Sequence, residues 1–310
     1  MAFTALIETV ALFLLLMIPG YILGKCGMLP EGTIPGIGNI IMYIAMPALV
    51  FLKLLQTDLR ALQLTGILCC ILLPIALGLG LLFLAKLLFH RSKPGQLAVS
   101  CFCTAFPNCG FWSIPLACTL FPDQPEVAVY VSIFNVFNSF LMLTVGVYIL
   151  SGDKQDISIR KMLSSPVVIA MVLGLGMALS GLKLPQLERF AESLSQLATP
   201  LSMLVLGTES AKLRFQECFL NPKVYLVCVL KLIVSPLLAM AALWLLKRLG
   251  LSVSDTLSAA VFLAVAVSTA LSAPTLAAKF HLDAKYAAAL TIGTTVLCVL
   301  TMPLLHAIIF

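Results

Sequence analysis

Long apolar runs separated by short polar connections dominate the chain. Ten can be read, over 3–23, 36–55, 62–89, 96–120, 125–150, 163–180, 190–208, 222–246, 255–279 and 284–309. A helix needs about 20 apolar residues to cross the hydrocarbon layer of a bilayer, and it satisfies its own backbone hydrogen bonds there. The fourth and ninth runs are broken by internal prolines. The longest polar connections, 151–162 and 209–221, leave no room for a separate soluble domain. The pattern predicts an all-α integral membrane protein with ten transmembrane helices.

Composition agrees. Of 310 residues 61% are apolar and 10% charged, against roughly 25% charged in a soluble domain, so lipid is the expected solvent. The net charge of +6 sits in short loops, where basic residues orient a chain in its membrane rather than bind nucleic acid. One side would carry Lys25, Lys86, Arg91, Lys93, Lys154, Arg160, Lys161, Lys212, Arg214, Lys223, Lys279 and Lys285. The other would carry only Lys53, Arg60, Lys183, Arg189, Lys247 and Arg248. The basic-rich side is normally cytoplasmic, which puts both termini on the non-cytoplasmic face of the plasma membrane. No Lys or Arg precedes the first run, so a cleaved signal peptide is not expected. Most of the ten cysteines lie in apolar runs, where a thiol packs as a small hydrophobe. Their spacing makes no zinc site, and neither a metal nor a cofactor is expected.

The two halves resemble each other. Gly27-Met28-Leu29-Pro30 recurs as Gly181-Leu182-Lys183-Leu184-Pro185, and Ala45-Met46-Pro47 as Ala198-Thr199-Pro200. Pro74 has a counterpart in Pro236, and Pro107 one in Pro274. Residues 1–150 and 163–310 thus read as two five-helix repeats joined by a short cytoplasmic linker, 151–162. An odd number of helices per copy inverts the second copy, the build of many secondary transporters.

Each broken run then acquires chemistry. Pro107 removes a backbone donor and clashes with the preceding turn, and Asn108 and Gly110 are poor mid-helix residues. In the ninth run Ser272 or Ala273 would cap a half-helix beginning with Pro274, a favourable first-turn proline. Irregular backbone at that depth is tolerated only inside protein or beside a wet cavity, and interrupted helices in matching positions of two halves point to a binding site. Half-helices starting after Pro107 and Pro274 would offer unpaired N–H groups and a partial positive charge to an anion. Asn108, Cys109, Gly110, Ser272 and Thr275 are the substrate-binding candidates there. The competing reading makes both breaks ordinary proline kinks, the role expected of Pro19, Pro47, Pro74, Pro200, Pro236 and Pro303.

The run Asn108-Cys109-Gly110-Phe111-Trp112-Ser113-Ile114-Pro115-Leu116 resembles the Asn-x-Gly-Phe-x-Gly-x-Pro-Leu signature of the auxin efflux carrier family. Ser113 stands where that family has Gly. The stretch from Ala273-Pro274 through Thr294-Thr295 to Leu300-Thr301-Met302-Pro303 is similar to its last two helices. The resemblance implies a fold shared with bile-acid symporters and sodium/proton antiporters. Broken helices 4 and 9 would cross at mid-membrane inside a mobile transport domain of helices 3–5 and 8–10. Helices 1, 2, 6 and 7 would form a scaffold and a homodimer interface. It also implies a small organic anion as substrate, an elevator-like motion and, from the short 151–162 loop of bacterial-type members, a bacterial inner membrane.

Lys231 lies well inside an apolar run, where an ionisable residue is a functional candidate by default. It can contact the anion or neutralise the carbonyl ends of the broken half-helices. Asn135 and Asn138 share a helix face and, like Asn39, can contact substrate or join helices by hydrogen bonds. Asn135 is preferred because its helix belongs to the implied transport domain. His90, His281 and His306 read as loop or terminal residues. No P-loop or hydrolase motif occurs. An intramembrane enzyme would need a nucleophile and base within reach, which no spanning His or Asp supplies, so the chain is not expected to be an enzyme. A carrier working by alternating access leads, with a channel or uncoupled facilitator of the same fold as the alternative.

Overall fold

A computed structural model of the chain describes all residues except 1–2, 31, 59, 61, 154, 156–163, 182–183 and 212–220. Lys154, Arg160, Lys161, Lys183, Lys212, Arg214, Cys218 and most of the 151–162 linker therefore lie outside the described residues.

Among the described residues every regular element is helical. The helices are α1 (Phe3–Lys25), α2 (Thr33–Gln56), α3 (Leu64–Leu88), α4 (Pro94–Ala105), α5 (Cys109–Leu120), α6 (Pro125–Ser151) and α7 (Pro166–Ser180). They continue with α8 (Pro185–Ser195), α9 (Ala198–Ala211), α10 (Pro222–Arg248), α11 (Asp255–Val265), α12 (Ala273–Lys279) and α13 (Ala284–Ile309). Six of them, α1, α2, α3, α6, α10 and α13, are long and apolar enough to cross a membrane. One expectation is corrected: the run 190–208 is not a single helix. A turn at Gln196–Leu197 separates α8 from α9, and α8 is amphipathic, starting at Pro185 and carrying Glu188, Arg189 and Glu192.

Among the described residues four helices widen for one turn into π geometry, at Ile41–Ala45, Cys109–Ser113, Met142–Gly146 and Leu230–Val234. Three of these turns run directly into a proline pair: Met46-Pro47, Ile114-Pro115 and Ser235-Pro236. A proline ring would strike the carbonyl four residues back, and a wider turn moves that carbonyl aside. Pro19, Pro74 and Pro303 are carried inside helices.

Packing divides the helices into two sets. α1 runs along α9, and the later part of α2 packs on α7 and α8. α3 packs on α4 and α6, α6 on α11, and both α10 and α12 on α13. The sets meet where α2 touches α6, where α1 touches α5 and α13, and where α9 touches the start of α5. At the α1–α9 crossing the two backbones come close at glycines. A Cβ on Gly20 would lie 2.2 Å from the Leu204 carbonyl oxygen, and one on Gly207 2.0 Å from that of Met17. Thr208 closes the contact by donating its hydroxyl to the Gly20 carbonyl at 3.0 Å.

Candidate functional site where two helix breaks pair

The chain leaves α4 at Ala105, extends through Phe106 (φ −101°, ψ 112°) and re-enters a helix after Asn108. Between α11 and α12 it is likewise irregular over 266–272. The two irregular stretches lie antiparallel. Asn108 N–H donates to the Ser268 carbonyl at 2.8 Å, and Ala270 N–H donates to the Phe106 carbonyl at 2.9 Å. Pro107 sits opposite Thr269 between these bonds, a place where its missing N–H costs nothing. Thr269 N–H donates to Thr294 Oγ1 at 3.1 Å, and its hydroxyl donates to the Cys103 carbonyl. Ser268, Thr269 and Thr294 are fully buried. Backbone groups freed by each break are thus taken up by the other break and by α13.

Beside the pairing lies a cavity of about 140 Å³. Its polar wall consists of Asn108, Asn135, Asn138, Ser139 and Ser272, with Cys109 and Gly110 at the head of α5. The rest of the lining is largely apolar: Met42 and Met46 from α2, Val167 from α7, and Phe111, Ile114, Met142 and Leu271. Asn108 is 4% exposed, and its Nδ2 has no hydrogen-bond partner among the described residues. No side chain caps α5, so the leading N–H groups of that helix lack intrahelical acceptors where Cys109, Gly110 and Phe111 line the cavity. An unpaired amide donor and an uncapped helix start converge on one apolar-walled space, an arrangement suited to an anionic group.

A second cavity, of about 10 Å³, has room for one water-sized occupant. Lys231, Asn138, Pro107, Ala105, Val265 and Ser235 are among its lining residues. Lys231 is fully buried, and its Nζ has no hydrogen-bond partner among the described residues. Ala105 and Val265 are the last residues of α4 and α11, so both helices end on the lining of the cavity that Lys231 also borders. Pro107 and Asn138 line both cavities and form the partition between them.

Of the residues singled out in the sequence, the larger cavity gathers Pro107, Asn108, Cys109, Gly110, Asn135, Asn138 and Ser272. The Cys109 thiol itself points to α6, donating to the Val131 carbonyl at 3.9 Å. Ser272 Oγ donates to Met142 Sδ at 3.8 Å. Thr275 does not line the cavity and is exposed, and Pro274 is also outside it. α12 turns Ala273 and Ala277, four residues apart, to the core, which sends Thr275 to the opposite face. Lys231 lines the smaller cavity alone.

Several contributors carried no mark in the sequence. Met42, Met46 and Val167 read as ordinary apolar positions, and Met142 as one more. Each of the four π turns places a residue at one of the two cavities: Met42, the Cys109–Phe111 stretch, Met142 and Lys231. Such turns concentrate at functional sites, and the prolines that follow three of them were the available signal. His306 also departs from its reading as a terminal residue. It is buried within α13, its ring 5.9 Å from that of Phe262 and 5.1 Å from that of Phe310. Among the described residues no group of His, Cys, Asp or Glu could hold a metal ion.

Residues 5–306 match the family model described as "Membrane transport protein" (Mem_trans). The chain is 28% identical over 313 residues to an uncharacterized transporter of Methanothermobacter thermautotrophicus, covering 98% of both chains. It is also 28% identical over 213 residues to an uncharacterized transporter of Methanocaldococcus jannaschii, covering 64% of this chain and 67% of that one.

Proposed function

Because this chain belongs to the Mem_trans family of membrane transport proteins, the auxin efflux carrier family, we propose that it moves a small carboxylate across the membrane as a secondary transporter. The observation that carries the reading is the unpartnered, buried Nδ2 of Asn108 beside the uncapped head of α5, on a cavity of about 140 Å³. An unsatisfied buried donor is costly, and a bound carboxylate would satisfy it. Asn135 and Ser272 add polar groups on the same wall, and the apolar wall would hold the rest of the molecule.

In this reading α4 with α5, α8 with α9, and α11 with α12 each make one interrupted crossing, so the thirteen helical segments give ten crossings in two inverted repeats, 1–150 and 163–310. The paired breaks stand at mid-membrane. α3–α6 and α10–α13 move as the transport domain against a scaffold of α1, α2 and α7–α9, in an elevator-like form of alternating access. Two copies associate through the scaffold in a bacterial inner membrane. The separate packing of the two helix sets supports this division. So does the mixed wall of the cavity, which takes Met42, Met46 and Val167 from the scaffold side and its polar groups from the other.

A thermal-shift screen of carboxylic acids on the purified protein tests the substrate class. At a hundred times its dissociation constant a true ligand stabilises by about 2.7 kcal/mol, and labelled ligand should then show saturable counterflow. If carboxylates raise the melting temperature no more than their amides do, the anion reading fails. Unit conductance steps in place of counterflow would make the protein a channel.

The orientation has its own test. In a cysteine-free variant, Phe310→Cys should react with a membrane-impermeant thiol reagent in whole cells, and Asp153→Cys only after permeabilisation. The reverse pattern would overturn the placement of both termini outside.

A further inference from the structure

We infer that Lys231 fixes the charge carried by the moving part of the transporter, about plus one when empty and about zero with a monocarboxylate bound. The inference rests on the carrier reading above. Its observations are independent of how the anion is held.

Lys231 belongs to the π turn of α10 and is wholly buried, with no partner for its Nζ among the described residues. The other charges in the moving helices, among the described residues, lie near helix ends. Asp255 is in the first turn of α11, Asp283 caps α13 and Lys285 follows in its first turn, and Glu126 is in the first turn of α6. Lys223 is in the first turn of α10, Lys247 and Arg248 are in its last, and Lys86 and Lys279 are in the last turns of α3 and α12. Residues at the ends of spanning helices cross little of the membrane field, so Lys231 is the charge that would cross it. Among the described residues no charged side chain lines the larger cavity, so the opposing net charge there is the substrate's own.

The ammonium needs local compensation to persist in so dry a place. α4 and α11 can supply it, since their final residues Ala105 and Val265 border its cavity. Each helix end is equivalent to roughly half a negative charge, so two amount to about one. These are dipole ends, however. The positive ends of α4 and α11 travel with the same helices, so the pair steadies Lys231 without subtracting from the net charge that moves. The two functions weighed for this lysine, balancing carbonyl ends and answering the anion, then coexist. The loaded step transfers almost no charge, and the membrane potential acts on the return of the empty carrier. One charge crossing the full field of 100 mV corresponds to about fiftyfold in the inward/outward ratio of the empty state (about 2.3 kcal/mol).

Voltage steps applied to the empty protein in a planar membrane read this directly. The wild type should give a saturable transient charge movement without any substrate. Lys231→Gln should abolish it, and Lys231→Arg should keep it. Melting temperature and membrane yield are measured for all three, and the arginine variant keeps the question decidable if the glutamine variant does not fold. No transient in the wild type overturns the inference, as does an undiminished one in K231Q or its loss in a well-folded K231R. Exchange of labelled pyruvate across the same membranes reports on the carrier proposal separately. Exchange without a Lys231-dependent transient removes the charge assignment and leaves the carrier standing.

Discussion

Asn108→Ala should weaken carboxylate binding tenfold or more while the protein melts close to the parent temperature. The amide of Asn108 is buried, lines the larger cavity and has no partner for Nδ2 among the described residues. A hydrogen bond to a charged acceptor contributes about 1.5–3 kcal/mol, and each 1.4 kcal/mol is a factor of ten in affinity. Stability should hold because alanine leaves no partner of Nδ2 unpaired. The backbone N–H that bonds Ser268 remains in the variant. Asn39→Ala is the matched control, an exposed amide in α2 that lines neither cavity. Binding and counterflow would be compared at equal membrane expression. Parent-like affinity in Asn108→Ala would make the paired breaks a structural device and send the search for the anion site elsewhere.

Gly207→Ala acts on stability instead. Its new methyl group would stand 2.0 Å from the carbonyl oxygen of Met17, and the obstacle is backbone, so no side chain can rotate away. α1 must move off α9, breaking the Thr208 bond to Gly20 as it goes. Overpacking of this kind costs about 1–3 kcal/mol, occasionally more, and a lower melting temperature with reduced folded yield is expected. Gly80→Ala serves as comparison. That glycine is helical and exposed, a Cβ there meets nothing within 4 Å, and alanine is the better helix former. Equal melting temperatures for the two variants would show that the α1–α9 contact yields more readily than its geometry implies.

The long spans were legible because hydrocarbon asks a simple question of sequence, and α1, α3, α6, α10 and α13 answer it within a few residues. α8 was misjudged for the converse reason. Its apolar positions form one stripe on a largely polar helix that packs on α2, so a reading based on unbroken apolar length began the segment too late. The prolines gave away a break at 107 and one ending just before 274, since a helix does not readily accommodate Pro107-Asn108 with Gly110 so close behind. They did not reveal the facing of Thr275, which depends on where α12 starts, nor the wide turns, which a proline shares with a plain kink. Met42, Met46 and Val167 reach the cavity only through tertiary packing. No local pattern marks a methionine that borders a site from one that meets lipid.

The antiparallel join between the breaks also sets a clock on synthesis. Cys103 is 166 residues ahead of Thr269, the residue whose hydroxyl its carbonyl accepts. At 5–20 residues per second, the first break waits on the order of ten to thirty seconds for its partner to be made. During that interval the carbonyl of Phe106 and the N–H of Asn108 have none of their final partners. The site is therefore finished last, and until the ribosome has passed residue 270 the nascent chain must keep its most polar backbone out of lipid by other means.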